Sequence, residues 1–348
     1  STGIAAGDDG YHTADRWYFT TANQSSVWTQ TTEALTSGDA LEDGFSKSLK
    51  LDVTTADASP TASARLNLRY SFEGQDVQLI KKGTASAEKI TVAFWIKATK
   101  TGTNILELYD ESTTNRHCSA AYTVSSTNTW EHKIVTFPAD TGGTVLANTN
   151  AQTLDLYFWV AAGSNYTSGT LQTTWINYSS GSTRDDRAVG QVNNADSTSN
   201  NFEITGVQLE VGEYTAADLP PFRHENYGTN LARCERYYQV ISKKRSSYVN
   251  EVMPLVQYDS DQFYGVFNFR TVMREPPTLE SASGTDYFTF YRGGSTDNFD
   301  DFSLDKSSVY SVSLYNAPDI SGTGGQGGWA RWLSGAPTDS LVALKAEM

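Results

Sequence analysis

Two tryptophans three residues apart, Trp329 and Trp332, stand in the glycine-rich string SGTGGQGGWARWLSG. Flat aromatic faces stack on sugar rings, neighbouring amides and carboxylates bind the hydroxyls, and glycines let a ligand approach the backbone. The string is too polar and glycine-rich to read as a core strand, so the pair forms a candidate glycan-binding site. The competing reading packs both rings into an oligomer seam or uses them to pin the loop. A second string, GSNYTSGTLQTTW, offers Asn165, Tyr166 and Trp175 for the same chemistry, against a structural role within its own loop.

Other chemistries find less support. His12, His117, His132 and His224 show no HxxxH or HxH spacing, so no transition-metal site is expected. The run GTGGQGG lacks the Lys-Ser/Thr of a phosphate-binding loop, and no GxSxG elbow occurs. A polysaccharide depolymerase needs two carboxylates about 5 to 9 Å apart, but 40 acidic residues guarantee accidental pairs and sequence does not place them. No catalytic residue is assigned, and the reading is of a protein that is not an enzyme. The acidic segments Ser295–Asp305 and Gly7–Gly10 carry oxygen ligands suited to calcium, without the spacing of an EF-hand loop; solvated turns are the simpler reading, and no cofactor is expected.

The elements that must hold these residues are strands. The chain of 348 residues is rich in Ser, Thr, Gly, Asn and Tyr, only 19% charged and 12% aromatic, a composition of antiparallel sheets joined by turns. Apolar alternation runs through Leu49–Val53, Leu66–Phe72 and Ile90–Ile96, with further strands expected at Leu106–Tyr109, Tyr122–Val124, Ile134–Phe137 and Leu154–Val160. About nine or ten strands with almost no helical periodicity fit a jelly-roll β-sandwich. Trp17, Tyr18 and Trp28 are expected to pack as a first strand pair over it. The stretch NFEITGVQLEVGEY changes phase at Thr205-Gly206, where a β-bulge would return Phe202, Ile204, Val207, Leu209 and Val211 to one core. The interval Asn177–Asn200 has no sustained apolar pattern and reads as a long surface loop.

The prolines of AADLPPFRHENYGTN mark the domain boundary, giving a sandwich over residues 1–221 and a smaller β-rich domain over 222–348. LARCERYYQVI would open the second domain with one helical turn before extending. Phe263, Phe267 and Phe269 share one face of a later strand. Arg233, Arg236, Tyr237 and Tyr238 suit an oligomer interface, since Arg and Tyr are enriched at interface cores.

A formal net charge of −14 argues against binding nucleic-acid phosphates. No apolar run approaches a membrane span, and the opening STGIAAGDDG lacks the regions of a signal peptide. Cys118 and Cys234 form no disulfide framework; sequence leaves a single bridge between them open, with buried free thiols as the favoured state.

The string ITGVQLEVGEYTAADLPPFRHENYGTNLARCERYYQ resembles a junction found in bacteriophage tail-fibre and other virion structural proteins: a GVQLE(V/A)G strand, a Pro/Phe/Arg linker and an LxxCxRYYQ opening. Upstream, EGQDVQLIKKGTASAEKITVAFWIKATKTGT, TWEHKIVTFPADTGG and RAVGQVNNADS are similar to the carbohydrate-binding-module-like jelly roll of such proteins in phages of marine bacteria. Downstream, FRTVMREPPTL resembles their MRxxPT strand, whereas VALKAEM departs from their xxDAEL ending at Lys345 and Met348. The resemblance implies a virion component at the particle surface, a homotrimer contacting other virion proteins and host surface glycan. It leaves open a tail fibre, the leading choice, a head fibre or a capsid decoration protein.

Overall fold

The computed structural model describes residues 1–111, 115–178, 184–245 and 250–348. The chain divides into two compact units, Ser1–Arg223 and His224–Met348. Among the described residues, no helix is long and apolar enough to cross a membrane.

The first unit contains β1 (Gly10–Tyr11), β2 (Trp17–Ala22), β3 (Val27–Ala34), β4 (Lys47–Thr55), β5 (Arg65–Glu73), β6 (Ile90–Ala98), β7 (Gly102–Asp110), β8 (Arg116–Val124), β9 (Glu131–Phe137), β10 (Gln152–Ala162), β11 (Ile176–Asn177) and β12 (Asn201–Val211), with helical turns α1 (Asp39–Glu42) and α2 (Ser164–Thr167). They form two antiparallel sheets, ordered β1-β2-β5-β10-β7-β8-β11 and β3-β4-β12-β6-β9. This is the expected sandwich of jelly-roll type. Its core follows from the two-residue period of strands: Leu66 and Leu68, Leu106 and Leu108, and Leu154, Leu156 and Phe158 meet Leu49, Leu51, Val92, Phe94 and Phe202 in one apolar cluster.

The phase change in β12 is a bulge. Its register against β6 slips between Thr205 and Gln208, and Gly206 adopts φ +58°. A Cβ there would lie 2.5 Å from the Phe45 ring, so glycine is required by both conformation and space. Phe202 and Ile204 before the bulge, and Val207, Leu209 and Val211 after it, all pack on the same core.

Two local expectations are corrected. Trp17 and Trp28 do not sit on a strand pair: β2 joins the seven-stranded sheet through β5, whereas β3 joins the five-stranded sheet through β4. The turn between them crosses from one sheet to the other, because each strand presents its apolar side to the shared core. The interval Asn177–Asn200 is not simply a surface loop. Residues 179–183 lie outside the described residues, but Arg187, Ala188, Asn194 and Ala195 are buried.

In the second unit Asn226 caps α3 (Tyr227–Glu235), its Oδ1 accepting from Thr229 N at 2.9 Å. Nine residues make this helix longer than the single turn expected. The strands are β13 (Tyr238–Lys243), β14 (Glu251–Gln257), β15 (Phe263–Asn268), β16 (Thr278–Ser281), β17 (Phe288–Arg292), β18 (Ser295–Phe299), β19 (Ser303–Ser307), β20 (Ser311–Asn316), β21 (Gly327–Trp332) and β22 (Leu341–Lys345). They form sheets ordered β13-β22-β16 and β18-β17-β21-β14-β15-β20-β19. Phe263, Phe288, Phe290, Phe299 and Trp332 dominate the core, with Phe267 and Phe269 packed at its margin.

Candidate functional site

The solvent-side phase of the seven-stranded sheet in the first unit is unusual. On β5, Arg69 and Ser71 turn away from the core, as do Asp155, Tyr157 and Trp159 on β10 and Glu107 and Tyr109 on β7. Strand register aligns them in rows. Tyr18, Arg69, Tyr157 and Glu107 follow one another across β2, β5, β10 and β7, and Ser71, Asp155, Tyr109 and His117 form the next row. Aromatic rings, carboxylates and guanidinium groups thus share one face that in a plain sandwich would be merely polar.

One part of this face is closed. Arg187 reaches back from the Asn177–Asn200 interval to Glu107, with Nε at 2.6 Å from Oε1 and Nη2 at 3.0 Å from Oε2. Its Cζ lies 4.7 Å from the Tyr109 ring centre and 5.5 to 5.7 Å from those of Tyr178, Trp159 and Tyr157. Trp159 Nε1 donates to Glu107 Oε2 at 2.9 Å. Burial opposes the charge on Arg187, but Glu107 more than compensates and holds its pKa above the usual value.

The neighbouring part is more open. Tyr18 and Arg69 are half-buried and Glu111 is exposed. Arg69 Cζ lies 4.4 Å from the Tyr18 ring centre, and its Nη1 is 3.9 Å from Asp155 Oδ2. Asp155 also accepts from Tyr157 Oη at 3.0 Å and from Gln152 Nε2 at 3.0 and 2.9 Å. Desolvation, and then the charge of Asp155, push the Glu111 carboxyl up to about 7. Burial likewise raises Asp155. The charge of Asp155 thus bears directly on the Glu111 carboxyl, as between like charges that share a site. Of the two, the exposed Glu111 is the one placed to meet a hydroxyl group, while Asp155 is buried beneath it.

The residues singled out from sequence are scattered. Trp332 is wholly buried, its ring tilted against Phe288 with centres 4.4 Å apart and Nε1 donating to Ser242 Oγ at 2.9 Å, and has no face to offer a sugar. The string that seemed too polar for a core strand is β21, the third strand of its sheet; residues three apart on a strand point to opposite sides, so only Trp329 faces out. Trp329 is 39% exposed, 5.4 Å from Tyr291, with Arg331 Cζ 5.3 Å from its ring centre. Tyr166 and Trp175 are also buried: Tyr166 packs 5.3 Å from Trp159, and Trp175 Nε1 donates to Pro138 O at 2.8 Å. Both hold loops against the sandwich. Arg233 is exposed and paired with Glu225, and Arg236 and Tyr238 are half-buried. Tyr237 is fully buried in its own unit, so it is not available to an interface.

Among the described residues, no group of three or more His, Cys, Asp or Glu could hold a metal ion. Asp297, from the acidic segment read as a solvated turn rather than a calcium site, is engaged by Arg292 at 3.2 Å and Ser321 N at 2.6 Å. A recess of about 250 Å³ on the five-stranded sheet is lined by Lys97, Glu203 and Trp130 among others. Its Lys97 is already satisfied by Glu203 at 3.0 Å.

The sheet-face cluster carries no signal at the apolar positions that define the strands. Its signal lay in the opposite phase of the same strands, where Arg69, Tyr109, Asp155 and Tyr157 alternate with the core leucines.

No family model matches the chain, and no curated protein matches it. Among solved structures, it is similar to the enzymatically active domain of bacteriophage CBA120 tailspike protein 4, at 15% identity over 56% of this chain and 19% of that one, with a TM-score of 0.29. It is also similar to the family 11 carbohydrate-binding module of cellulase Lic26A-Cel5E of Clostridium thermocellum, at 11% identity over 59% of this chain and 92% of that one, with a TM-score of 0.30. The glycoside hydrolase domain of Endo-D from Streptococcus pneumoniae aligns at 12% identity over 89% of this chain and 37% of that one, with a TM-score of 0.20. These scores lie below the level that establishes a shared fold.

Proposed function

We propose that this chain is a non-catalytic attachment component of a bacteriophage virion, a tail-fibre protein that binds host surface glycan through the solvent face of its seven-stranded sheet. The observation that carries the glycan reading is the open part of that face. Tyr18 offers an aromatic ring, and Arg69, Gln152 and Glu111 supply donors and acceptors beside it, the combination by which sugar rings and hydroxyls are recognised. Arg187 and Glu107 fix the adjacent tyrosines, which lowers the ordering cost of binding. The virion assignment rests on the GVQLEVG and LARCERYYQ strings. Weak single-site affinity would be raised by trimeric display, and a mass of three chains by light scattering is the expected assembly state.

Binding of the full chain to a glycan array tests the site. A Tyr18→Ala variant is expected to lose binding while its unfolding midpoint stays near wild type, and no reducing ends should be released from bound polysaccharide. Binding unchanged in that variant but abolished by Trp329→Ala would refute the sheet-face site and move recognition to the second unit. Absence of binding to any host polysaccharide would favour a head fibre or decoration protein.

A further inference from the structure

Lys82 is one of the largest fully buried side chains in the protein. Its ammonium group contacts Asp110 Oδ2 and lies 3.1 Å from Asp140 Oδ2. The three side chains are 1%, 0% and 2% exposed, closed off from bulk solvent. Each is fixed from a different segment: Lys82 from the turn after a 3-10 helix (Gln78–Ile80), Asp110 from the end of β7, and Asp140 from the stretch after β9. Gly83 N donates to Asp140 O at 2.8 Å, locking the lysine turn to the aspartate segment. Arg116 holds Asp140, with Nε 2.9 Å from Oδ2 and Nη2 2.8 Å from Oδ1, and Gly142 N donates to Oδ1 at 3.1 Å. The Trp175 ring closes one side, its centre 5.8 Å from Lys82 Nζ.

We propose that Lys82 and Asp110 condense into an intramolecular amide, with Asp140 as the proton relay. The amine is held against one carboxylate while a second carboxylate, pinned by an arginine, touches the same nitrogen. One proton passes from Nζ to Asp110 Oδ2, giving an amine and a carboxylic acid. The Nζ lone pair attacks Cγ and forms the C–N bond. Asp140 Oδ2 takes a second proton from nitrogen and returns it to the departing hydroxyl, the Cγ–O bond breaks and water leaves. An ammonium and a carboxylate thus become one amide and one water, with no oxidant, reductant or activated donor. Fixed proximity supplies the rate, and removing two buried charges supplies driving force. Asp140 keeps its partner Arg116 throughout. The product would tie β7 covalently to the lysine turn 28 residues earlier, constraining the unfolded chain as a disulfide does.

Intact mass of the denatured wild-type full-length chain tests the bond without any variant. The expected mass is one water below that of the sequence, with digestion yielding a branched peptide that joins Lys82 to Asp110. Lys82→Arg and Asp110→Ala chains are expected at their full sequence masses, and Asp140→Ala should be largely unlinked. A wild-type mass equal to that of the sequence overturns the proposal and leaves an ion-pair cluster. So does a one-water deficit that maps to a cyclic imide at Asp9-Gly10, or one that persists in Lys82→Arg.

Discussion

Replacing Arg187 by methionine keeps much of the side-chain volume but leaves Glu107 wholly buried without its guanidinium partner, with His117 Nδ1 at 3.5 Å beside it. Glu107 would retain Trp159 Nε1 at 2.9 Å and lose both guanidinium contacts, at 2.6 and 3.0 Å. Removing one partner of a buried pair costs about 3 to 5 kcal/mol, mostly from the charge left behind. The four rings around Arg187 add a cation–π contribution of about 1 kcal/mol or more in a desolvated site. Denaturant unfolding of the full chain should therefore show Arg187→Met destabilised by about 4 kcal/mol in the transition of the first unit. Adding Glu107→Gln removes the stranded charge while keeping an acceptor for Trp159, and should recover about half of that loss or more. A single variant within about 1 kcal/mol of wild type, or a double variant worse than the single, would refute the view that Arg187 and Glu107 form the pinned floor of the site.

Glu111→Gln tests the carboxyl pair. Folding raises the Glu111 pKa from 4.5 to about 7, so its contribution is fully present below pH 4.5 and is lost as pH rises through 7. The full shift would amount to about 3 kcal/mol, and exposure of Glu111 cuts this to about 1 kcal/mol. The glutamine variant should thus gain on wild type above pH 8 and show no gain at pH 4 in unfolding midpoints; a pH-independent difference would contradict the pairing. Trp332→Ala should cost about 3 to 5 kcal/mol by emptying the second core, whereas Trp329→Ala should change the unfolding free energy by under about 1 kcal/mol. Burial pushes the Cys118 thiol up to about 12, while Cys234 is partly exposed; thiol labelling of the native protein should modify Cys234 alone, with Cys118 reacting only after unfolding. Gly206→Ala should destabilise by about 1 to 2 kcal/mol from the left-handed backbone alone, more if Phe45 cannot move, as read by thermal melting.

The strands of the sandwich were legible because each carries an apolar phase that only a buried face explains. Leu66 and Leu68, or Leu154 and Leu156, need no knowledge of their neighbours. The bulge was equally local, since a phase change across a glycine has few other solutions. What a strand cannot reveal from its own residues is which strand lies beside it. That is why Trp17 and Trp28, close in sequence, were placed together although they belong to different sheets. The site suffers most from this. Arg69, Asp155, Tyr157 and Tyr109 are unremarkable one at a time, and they become a site only when β5, β10 and β7 align in register. The pair Trp329 and Trp332 was misread for a related reason. Proximity in sequence suggested a shared surface, but strand geometry assigns one ring to solvent and the other to the core. Lys82 shows the same limit from the other side: a lysine in a polar, turn-rich string reads as solvated until the fold brings Asp110 and Asp140 around it. Chemistry carried by side chains far apart in sequence is set by register and loop closure, and these depend on the whole sheet.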